Sequence, residues 1–224
     1  MNSRIALIHA LRHSPEPIAA SFRRLWPEAQ LTNILDDSLS SDLSKVGYLD
    51  EKMFRRFDIL ANYAIDNGAQ SILFTCSAFG PCIDSLKKRY SIPILKPNEA
   101  MMEATAQLLS EKAILNSKIG LLATFGPTIT SMTEEFQLSQ RSEVRIKTAL
   151  AVGALEALNL GDLKRHDEIA AQYALQDLSD CDVIALAQYS LARAAPLVAS
   201  LTGLPVLTTT DSSVLKLKSI MCRS

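Results

Sequence analysis

One cysteine in the sequence has neighbours that could support thiol chemistry. Cys76 stands between two hydroxyl residues, Thr75 and Ser77, and Gly80-Pro81 follows it closely. Because proline is tolerated in the first turn of a helix, a helix is predicted to begin near Gly80. The positive end of a helix lowers the pKa of a thiol, and its free amides bind carboxylates. We therefore predict a reactive Cys76 beside an anion site. The alternative is a small buried apolar residue.

The other cysteines and the histidines show no pattern of a metal centre or a disulfide. Cys82 and Cys181 are predicted to pack in the interior, and Cys222 lies in the C-terminal tail. No CxxC pair is present, and the histidines at 9, 13 and 166 lack the spacing of zinc ligands. The prediction is a reduced, cytoplasmic protein without a metal.

Further polar groups follow short apolar runs. His9 ends the run that opens the chain, where a binding role and a structural role fit the sequence equally well. In Thr124-Phe-Gly126-Pro-Thr128, a glycine turn leaves backbone amides free for an anion. Asp36-Asp37-Ser38 is predicted to be a turn and helix cap. Arg55-Arg56 is predicted on a solvated helix face, and His166 in a charged helix start.

The elements that must position these residues alternate between strands and helices. Continuous apolar runs such as Ile72-Leu73-Phe74 are typical of central parallel strands that are covered by helices on both faces. Eight strands are predicted, at Arg4–Ile8, Leu31–Leu35, Ser71–Thr75, Ile92–Leu95, Lys118–Ala123, Val144–Thr148, Asp182–Ala187 and Pro205–Thr208. Helix starts are predicted at Ser14-Pro15, Asp50-Glu51, Gly126-Pro127 and Thr210-Asp211-Ser212. The fold class is therefore α/β, with doubly wound parallel sheets.

The chain also contains an internal repeat. Residues 71–78 align with residues 183–190 at a shift of 112, half of the 224 residues, and this alignment places Gln188 on Cys76. Two further matches, at shifts of 110 and 114, suggest duplicated halves with small insertions. The alternative is that any two strand–helix units look alike.

In open parallel sheets a ligand binds beyond the carboxyl ends of the strands, so Cys76 and Gln188 are predicted to face a ligand from opposite sides.

Composition excludes several classes of partner. With 23 Lys+Arg against 24 Asp+Glu, the net charge is -1, which gives no electrostatic reason to expect nucleic acid or an anionic membrane. The strongly apolar stretches are far shorter than the ~20 residues that span a bilayer, and the opening run does not have the form of a secretory signal. A small-molecule partner is the remaining expectation.

With these residues the chain resembles the aspartate/glutamate/hydantoin racemase superfamily, which also contains arylmalonate decarboxylase and maleate isomerase. The resemblance rests on the segments Ile5–His9, Thr75–Ala78, Lys118–Thr128, Asp182–Ala187 and Leu204–Leu207. It implies two pseudo-symmetric α/β halves with the active site in the cleft between them. Residues 1–97 plus 209–224 would carry Cys76, and residues 98–208 would carry Gln188. It also implies cofactor-independent chemistry on a small carboxylate, in a family whose members are often homodimers.

The residues expected to meet the substrate come from both halves. They are His9, Thr75, Ser77, Ala78, Thr124, Gly126, Thr128, Tyr189 and Ser190. Hydroxyls and backbone amides in this set would stabilise developing negative charge, as in an oxyanion hole.

The chain departs from the family pattern at one catalytic position. Racemases of this superfamily use two cysteines, one per half, on opposite faces of a carbon; Cys76 matches the first, and Gln188 stands at the second. A glutamine amide has no proton-transfer equilibrium near pH 7, and Tyr189, with an ordinary pKa of ~10, would need strong activation.

The sequence therefore leaves several functions open. A racemase or isomerase acting through a Cys76 thiolate stands level with a single-cysteine decarboxylase or lyase. The alternative outside the enzymes is a non-catalytic protein that binds small ligands. Hydrolysis with His9 as the base for Cys76 would need the two side chains within hydrogen-bond reach.

Overall fold

The computed structural model describes residues 3–111, 116–139 and 144–222. Contacts divide the chain into two compact units: residues up to Pro97 together with Ser213 onward form the first, and Asn98–Ser212 form the second. The outermost residues of the predicted halves, 1, 2, 223 and 224, lie outside the described residues.

The first unit is a parallel four-stranded sheet with helices between its strands. The strands are β1 (Arg4–His9), β2 (Gln30–Leu35), β3 (Ser71–Phe74) and β4 (Ile94–Leu95), in the spatial order β2-β1-β3-β4. The helices are α1 (Pro15–Leu25), α2 (Ser38–Val46), α3 (Glu51–Asp66) and α4 (Gly80–Arg89), with a 3-10 helix at Ser77–Phe79. Since β1 and β3 are neighbours in register, with Ile8 opposite Phe74, the residues after both strands lie at one sheet edge.

The second unit repeats this arrangement. Its strands are β5 (Lys118–Ala123), β6 (Arg145–Leu150), β7 (Val183–Leu186) and β8 (Val206–Thr208), in the order β6-β5-β7-β8. Its helices are α5 (Pro97–Glu111), α6 (Gly126–Ser139), α7 (Ala154–Asn159), α8 (Leu163–Leu178), a second 3-10 helix (Tyr189–Ala194) and α9 (Ala195–Thr202). The last helix, α10 (Thr209–Met221), starts here and continues into the first unit.

The eight predicted strands and the duplication are confirmed. Strand ends differ from the predictions by at most two residues, and all strand pairs are parallel. The pairs Ile72–Ile94 and Ile184–Val206 occupy equivalent places at the predicted shift of 112 residues. Every residue of β3 and β7 is buried, as their continuous apolar runs require.

Three of the four predicted helix starts are confirmed, and the fourth is wrong. α3 begins at Glu51, and the Asp50 carboxylate caps it by accepting the Met53 N–H at 2.8 Å. The last helix begins at Thr209, so the predicted start at residues 210–212 lies inside it. The Thr208 hydroxyl provides a cap there, accepting the Asp211 N–H at 3.2 Å.

Aromatic packing fixes the chain on both sides of Cys76. The Phe57 ring of α3 packs against Phe74 at the end of β3 and against Phe79 in the first 3-10 helix, with ring centroids 5.2 and 5.0 Å apart. Because these rings are buried, they anchor the short segment between the strand and the helix.

A glycine allows α8 to lie close to the second sheet. A Cβ atom on Gly120 of β5 would stand 3.1 Å from Leu178 Cβ and 3.2 Å from Cys181 Sγ.

Within the described residues, the helices are too short or too polar to span a bilayer.

Candidate functional site

Cys76 lies just beyond the carboxyl end of β3, where the sheet edge meets the first 3-10 helix. Its backbone is extended, with φ −123° and ψ 123°, and it occupies the N-cap position of that helix. The side chain is partly exposed. It borders a small cavity that is lined mostly by apolar side chains: Ile8, His9, Ala10, Leu39, Phe57 and Phe74.

Burial raises the pKa of the Cys76 thiol, and the predicted lowering is wrong. Hydrogen bonds from the Ala78 N–H and the Ser40 hydroxyl favour the thiolate but do not outweigh desolvation. The physical reason lies in the local fold. The 3-10 helix at Ser77–Phe79 has three residues, and its small dipole does not offset the apolar surroundings. The resting state of Cys76 near neutral pH is therefore the protonated thiol.

His9 borders the same small cavity as Cys76 and uses both ring nitrogens in hydrogen bonds. It is fully buried, with Nδ1 2.9 Å from Thr75 Oγ1 and Nε2 2.9 Å from Asn33 Oδ1. Burial lowers the pKa of His9, so the ring is neutral at pH 7. With Asn33 Oδ1 facing Nε2, this nitrogen carries the proton, and Nδ1 accepts from the Thr75 hydroxyl.

These contacts join His9 to Thr75 and Asn33 and give no support to the hydrolase hypothesis. Both nitrogens of His9 are engaged, and neither is hydrogen-bonded to Cys76. The Thr75 hydroxyl, expected to hold a carboxylate, contacts His9 instead and is itself buried.

Gln188 occupies the place in the second unit that Cys76 has in the first. It follows β7, is extended (φ −140°, ψ 146°) and occupies the N-cap position of the second 3-10 helix, without a capping hydrogen bond from its side chain. Its side chain is 7% exposed, and Oε1 accepts hydrogen bonds from the Thr124 backbone N–H at 2.5 Å and hydroxyl at 3.0 Å. Holding the oxygen turns the amide nitrogen away from Thr124. No described residue accepts a hydrogen bond from that nitrogen.

The other predicted contacts differ in accessibility. Ser77, Tyr189 and Ser190 are buried, and the Ser190 hydroxyl has no hydrogen-bond partner among the described residues. Thr128 is buried on α6. Gly126, the first residue of α6, is exposed.

Of two sequence predictions about charged residues, the solvated face is wrong for Arg56, and the helix start around His166 is confirmed. The Arg56 side chain is only 20% exposed, because its guanidinium bridges Asp36 and Asp42. Of the two arginines, only Arg55 lies on the solvated face, with 70% of its side chain exposed. His166 is fully buried although α8 begins as predicted near Asp162, because the helix turns it towards the interior.

Sequence reasoning missed Asn33 and Ser40. Each is a common polar residue in a β2 or α2 segment with no distinctive neighbours, so no local signal indicates that it reaches His9 or Cys76. Among the described residues no cluster of three His, Cys, Asp or Glu side chains could hold a metal ion.

Comparison with known proteins identifies the family. The sequence model of the Asp/Glu/Hydantoin racemase family matches residues 53–217, and the chain belongs to this family. A sequence comparison with curated proteins found no significant match.

Solved racemase structures share the fold at low sequence identity. Glutamate racemase RacE1 from Bacillus anthracis superposes with a TM-score of 0.73 at 16% identity, covering 99% of this chain and 82% of that one. Aspartate racemase from Picrophilus torridus superposes with a TM-score of 0.68 at 14% identity, covering 97% of this chain and 94% of that one. Allantoin racemase from Klebsiella pneumoniae superposes with a TM-score of 0.65 at 13% identity, covering 99% of this chain and 88% of that one. The two-half α/β fold is thus the fold of these racemases.

Proposed function

We propose that this chain is a cofactor-independent enzyme of the racemase superfamily that acts on a small carboxylate, with Cys76 as its only proton-transferring side chain. The observation that carries this proposal is the asymmetry between equivalent strand ends. One end presents a thiol, and the other presents a glutamine whose oxygen is bound by Thr124. Similar solved structures are glutamate, aspartate and allantoin racemases, which supports a small acid or a related carbonyl compound as substrate.

The protonated state of Cys76 favours a role as proton donor. In a decarboxylation, the electron pair of the broken carbon–carbon bond stays on the substrate as an enolate-type carbanion, and carbon dioxide leaves. The carbanion then takes the proton of the Cys76 thiol, and the thiolate regains a proton from water. This sequence needs a group on one face only, whereas inversion needs a second group on the opposite face.

Gln188 contributes to binding in this proposal. Since its oxygen is bound by Thr124, the amide offers a carboxylate or oxyanion a neutral N–H donor with a defined direction. The buried, unpartnered Ser190 hydroxyl two residues later is a second candidate donor.

The test uses proton exchange in heavy water. The protein is incubated with glutamate, aspartate, allantoin and a set of 2-substituted malonates, and NMR and optical rotation are followed. We expect deuterium at the reacting carbon with one configuration only. Cys76→Ala should abolish this exchange, and Cys222→Ala, at an exposed cysteine, should leave it unchanged. Full activity of Cys76→Ala would contradict the assignment of Cys76, and racemisation at the rate of exchange would contradict the single-donor mechanism.

A non-catalytic binder is the second candidate, and the raised pKa of Cys76 favours it because a binder needs no thiolate. A compound that raises the unfolding temperature but never exchanges a proton or loses carbon dioxide would identify a binder.

A further inference from the structure

We propose that the hydrogen bond between His9 and Thr75 positions Cys76, and that it replaces a bond which the second unit makes one residue further along. His9 acts on Cys76 through Thr75 and is therefore a positioning residue. This inference rests on the proposed function, because it gives the Cys76 thiol a defined place beside the substrate. His9, Thr75 and Cys76 all belong to the first unit.

The pairing between β1 and β3 ends just before Cys76. Its last pair is Ile8 with Phe74, so regular strand pairing does not include the residues that follow Phe74. Thr75 is held by two other bonds. Its N–H donates to the Ile8 carbonyl at 3.0 Å, and its hydroxyl lies 2.9 Å from His9 Nδ1. Both polar groups of Thr75 are thus fixed on β1, and the backbone of Cys76 continues from this fixed residue.

Asn33 sets the direction of the bond between Thr75 and His9. Its Oδ1 lies 2.9 Å from His9 Nε2, and because a carbonyl oxygen only accepts, Nε2 carries the ring proton. Nδ1 then has a lone pair for the Thr75 hydroxyl. The Ile8 carbonyl is a second acceptor for this hydroxyl, but it is more distant, at 3.4 Å. Side chains from the neighbouring strands β2 and β1 therefore act in series on the residue before Cys76.

The second unit has alanines at the equivalent places. Its pairing between β5 and β7 ends at Leu122 and Leu186. The residues that follow are Ala123 and Ala187, whose methyl groups form no hydrogen bond. The backbone bond is kept, since the Ala187 N–H donates to the Leu122 carbonyl at 2.9 Å. The two alanines therefore exclude a side-chain bond at this level of the second unit.

One residue later the two units exchange roles. In the second unit Gln188 Oε1 accepts from the Thr124 N–H and hydroxyl, which joins the two strand ends. The first unit has Ala10 and Cys76 at these places. Because the first unit joins its strand ends one residue earlier, at Thr75, the next side chain is not needed to hold the segment. That position is then available for a thiol that reacts with a substrate.

The position of the thiol matters because proton transfer is short-ranged. A proton donor works only within hydrogen-bond reach of the accepting atom, roughly 2.6–3.2 Å. A small displacement of the Cys76 backbone is enough to exceed that range. His9 borders the same small cavity as Cys76 and is fully buried. It can therefore set the place of the thiol without a contact to the substrate.

The experiment follows the Thr75 amide and the Cys76 thiol in the full chain without substrate. Amide exchange by NMR reports opening of the backbone. Alkylation by iodoacetamide, quantified by mass spectrometry with exposed Cys222 as the internal reference, reports opening of the thiol. A series from pH 6 to 10 separates a change of access from a change of the thiol pKa.

Thr75→Val keeps the shape of the side chain and removes the hydroxyl. We expect it to speed both processes by about 2- to 12-fold, the effect of one lost neutral hydrogen bond. Thr75→Ser keeps the hydroxyl and should restore both rates. His9→Gln added to Thr75→Val should have no further effect, because both substitutions remove the same bond.

Two substitutions of His9 separate this role from a general effect on stability. The asparagine oxygen lies as many bonds from Cα as Nδ1 does, so His9→Asn keeps an acceptor for Thr75. Glutamine replaces Nε2 in the same way, so His9→Gln keeps only the contact with Asn33. We expect His9→Gln to behave like Thr75→Val, and His9→Asn to keep the rates of the unsubstituted protein, although both lower the unfolding temperature.

The matched control is His166→Gln, at a fully buried histidine of the second unit, which should leave the Thr75 and Cys76 rates unchanged. Equal rates in His9→Asn and His9→Gln would overturn the positioning role of His9. An unchanged Thr75 amide in Thr75→Val would overturn the role of the hydrogen bond itself. Neither readout depends on turnover, so a failure here is distinguishable from a failure of the proposed function.

Discussion

Replacing Gln188 by leucine tests how the second unit holds this side chain. Leucine has a similar volume but no acceptor, so the Thr124 N–H and hydroxyl both lose their partner. The side chain is 7% exposed, which leaves little access for water as a substitute. Each unsatisfied buried donor costs about 1–3 kcal/mol, so we expect the loss of both to cost about 2–6 kcal/mol in the free energy of unfolding.

Thermal unfolding and hydrogen exchange measure this loss. For a chain of this length, about 2–6 kcal/mol corresponds to a decrease in Tm of roughly 4–24 °C. Because the two units need not unfold together, exchange of the Thr124 amide, followed by mass spectrometry, gives the local effect. Gln188→Glu keeps an acceptor for both donors and should preserve protection of that amide.

The control is Gln172→Leu, which makes the same change at an exposed position of α8. Equal Tm values for the two leucine variants would refute the reasoning. The same conclusion would follow if the Thr124 amide exchanged at the same rate in Gln188→Leu as in the unsubstituted protein. Gln188 would then be free to rotate, and its proposed role as an oriented donor would be lost.

Two further predictions concern stability. The pKa of His9 is lowered from 6.5 by burial, so its contribution to stability is complete above pH 6.5 and is lost as the pH falls below it, at no more than about 1.4 kcal/mol per pH unit. Urea unfolding of His9→Gln should show a smaller fall between pH 7 and 5, and an equal fall would contradict neutral burial. Gly120→Ala should cost about 1–3 kcal/mol, because the added methyl meets Leu178 and Cys181. Gly126→Ala has open space and should leave Tm unchanged; equal Tm values for both variants would contradict the tight packing of α8.

The order of elements and the duplication were predictable from the sequence. Continuous apolar runs mark buried parallel strands because both faces of such a strand are covered, and this requirement is local. The alignment of Cys76 with Gln188 follows from the same periodicity, since residues after equivalent strands take equivalent backbone conformations.

The chemical state of the site was decided by the tertiary structure. The sequence predicted a lowered pKa for Cys76, but the pKa depends on the apolar side chains that α2, α3 and β1 bring to the thiol. Ser40 and Arg56 contact their partners across 36 and 20 residues of sequence, respectively. Desolvation and long-range hydrogen bonds depend on distances in space, and a one-dimensional pattern of residue types does not contain those distances.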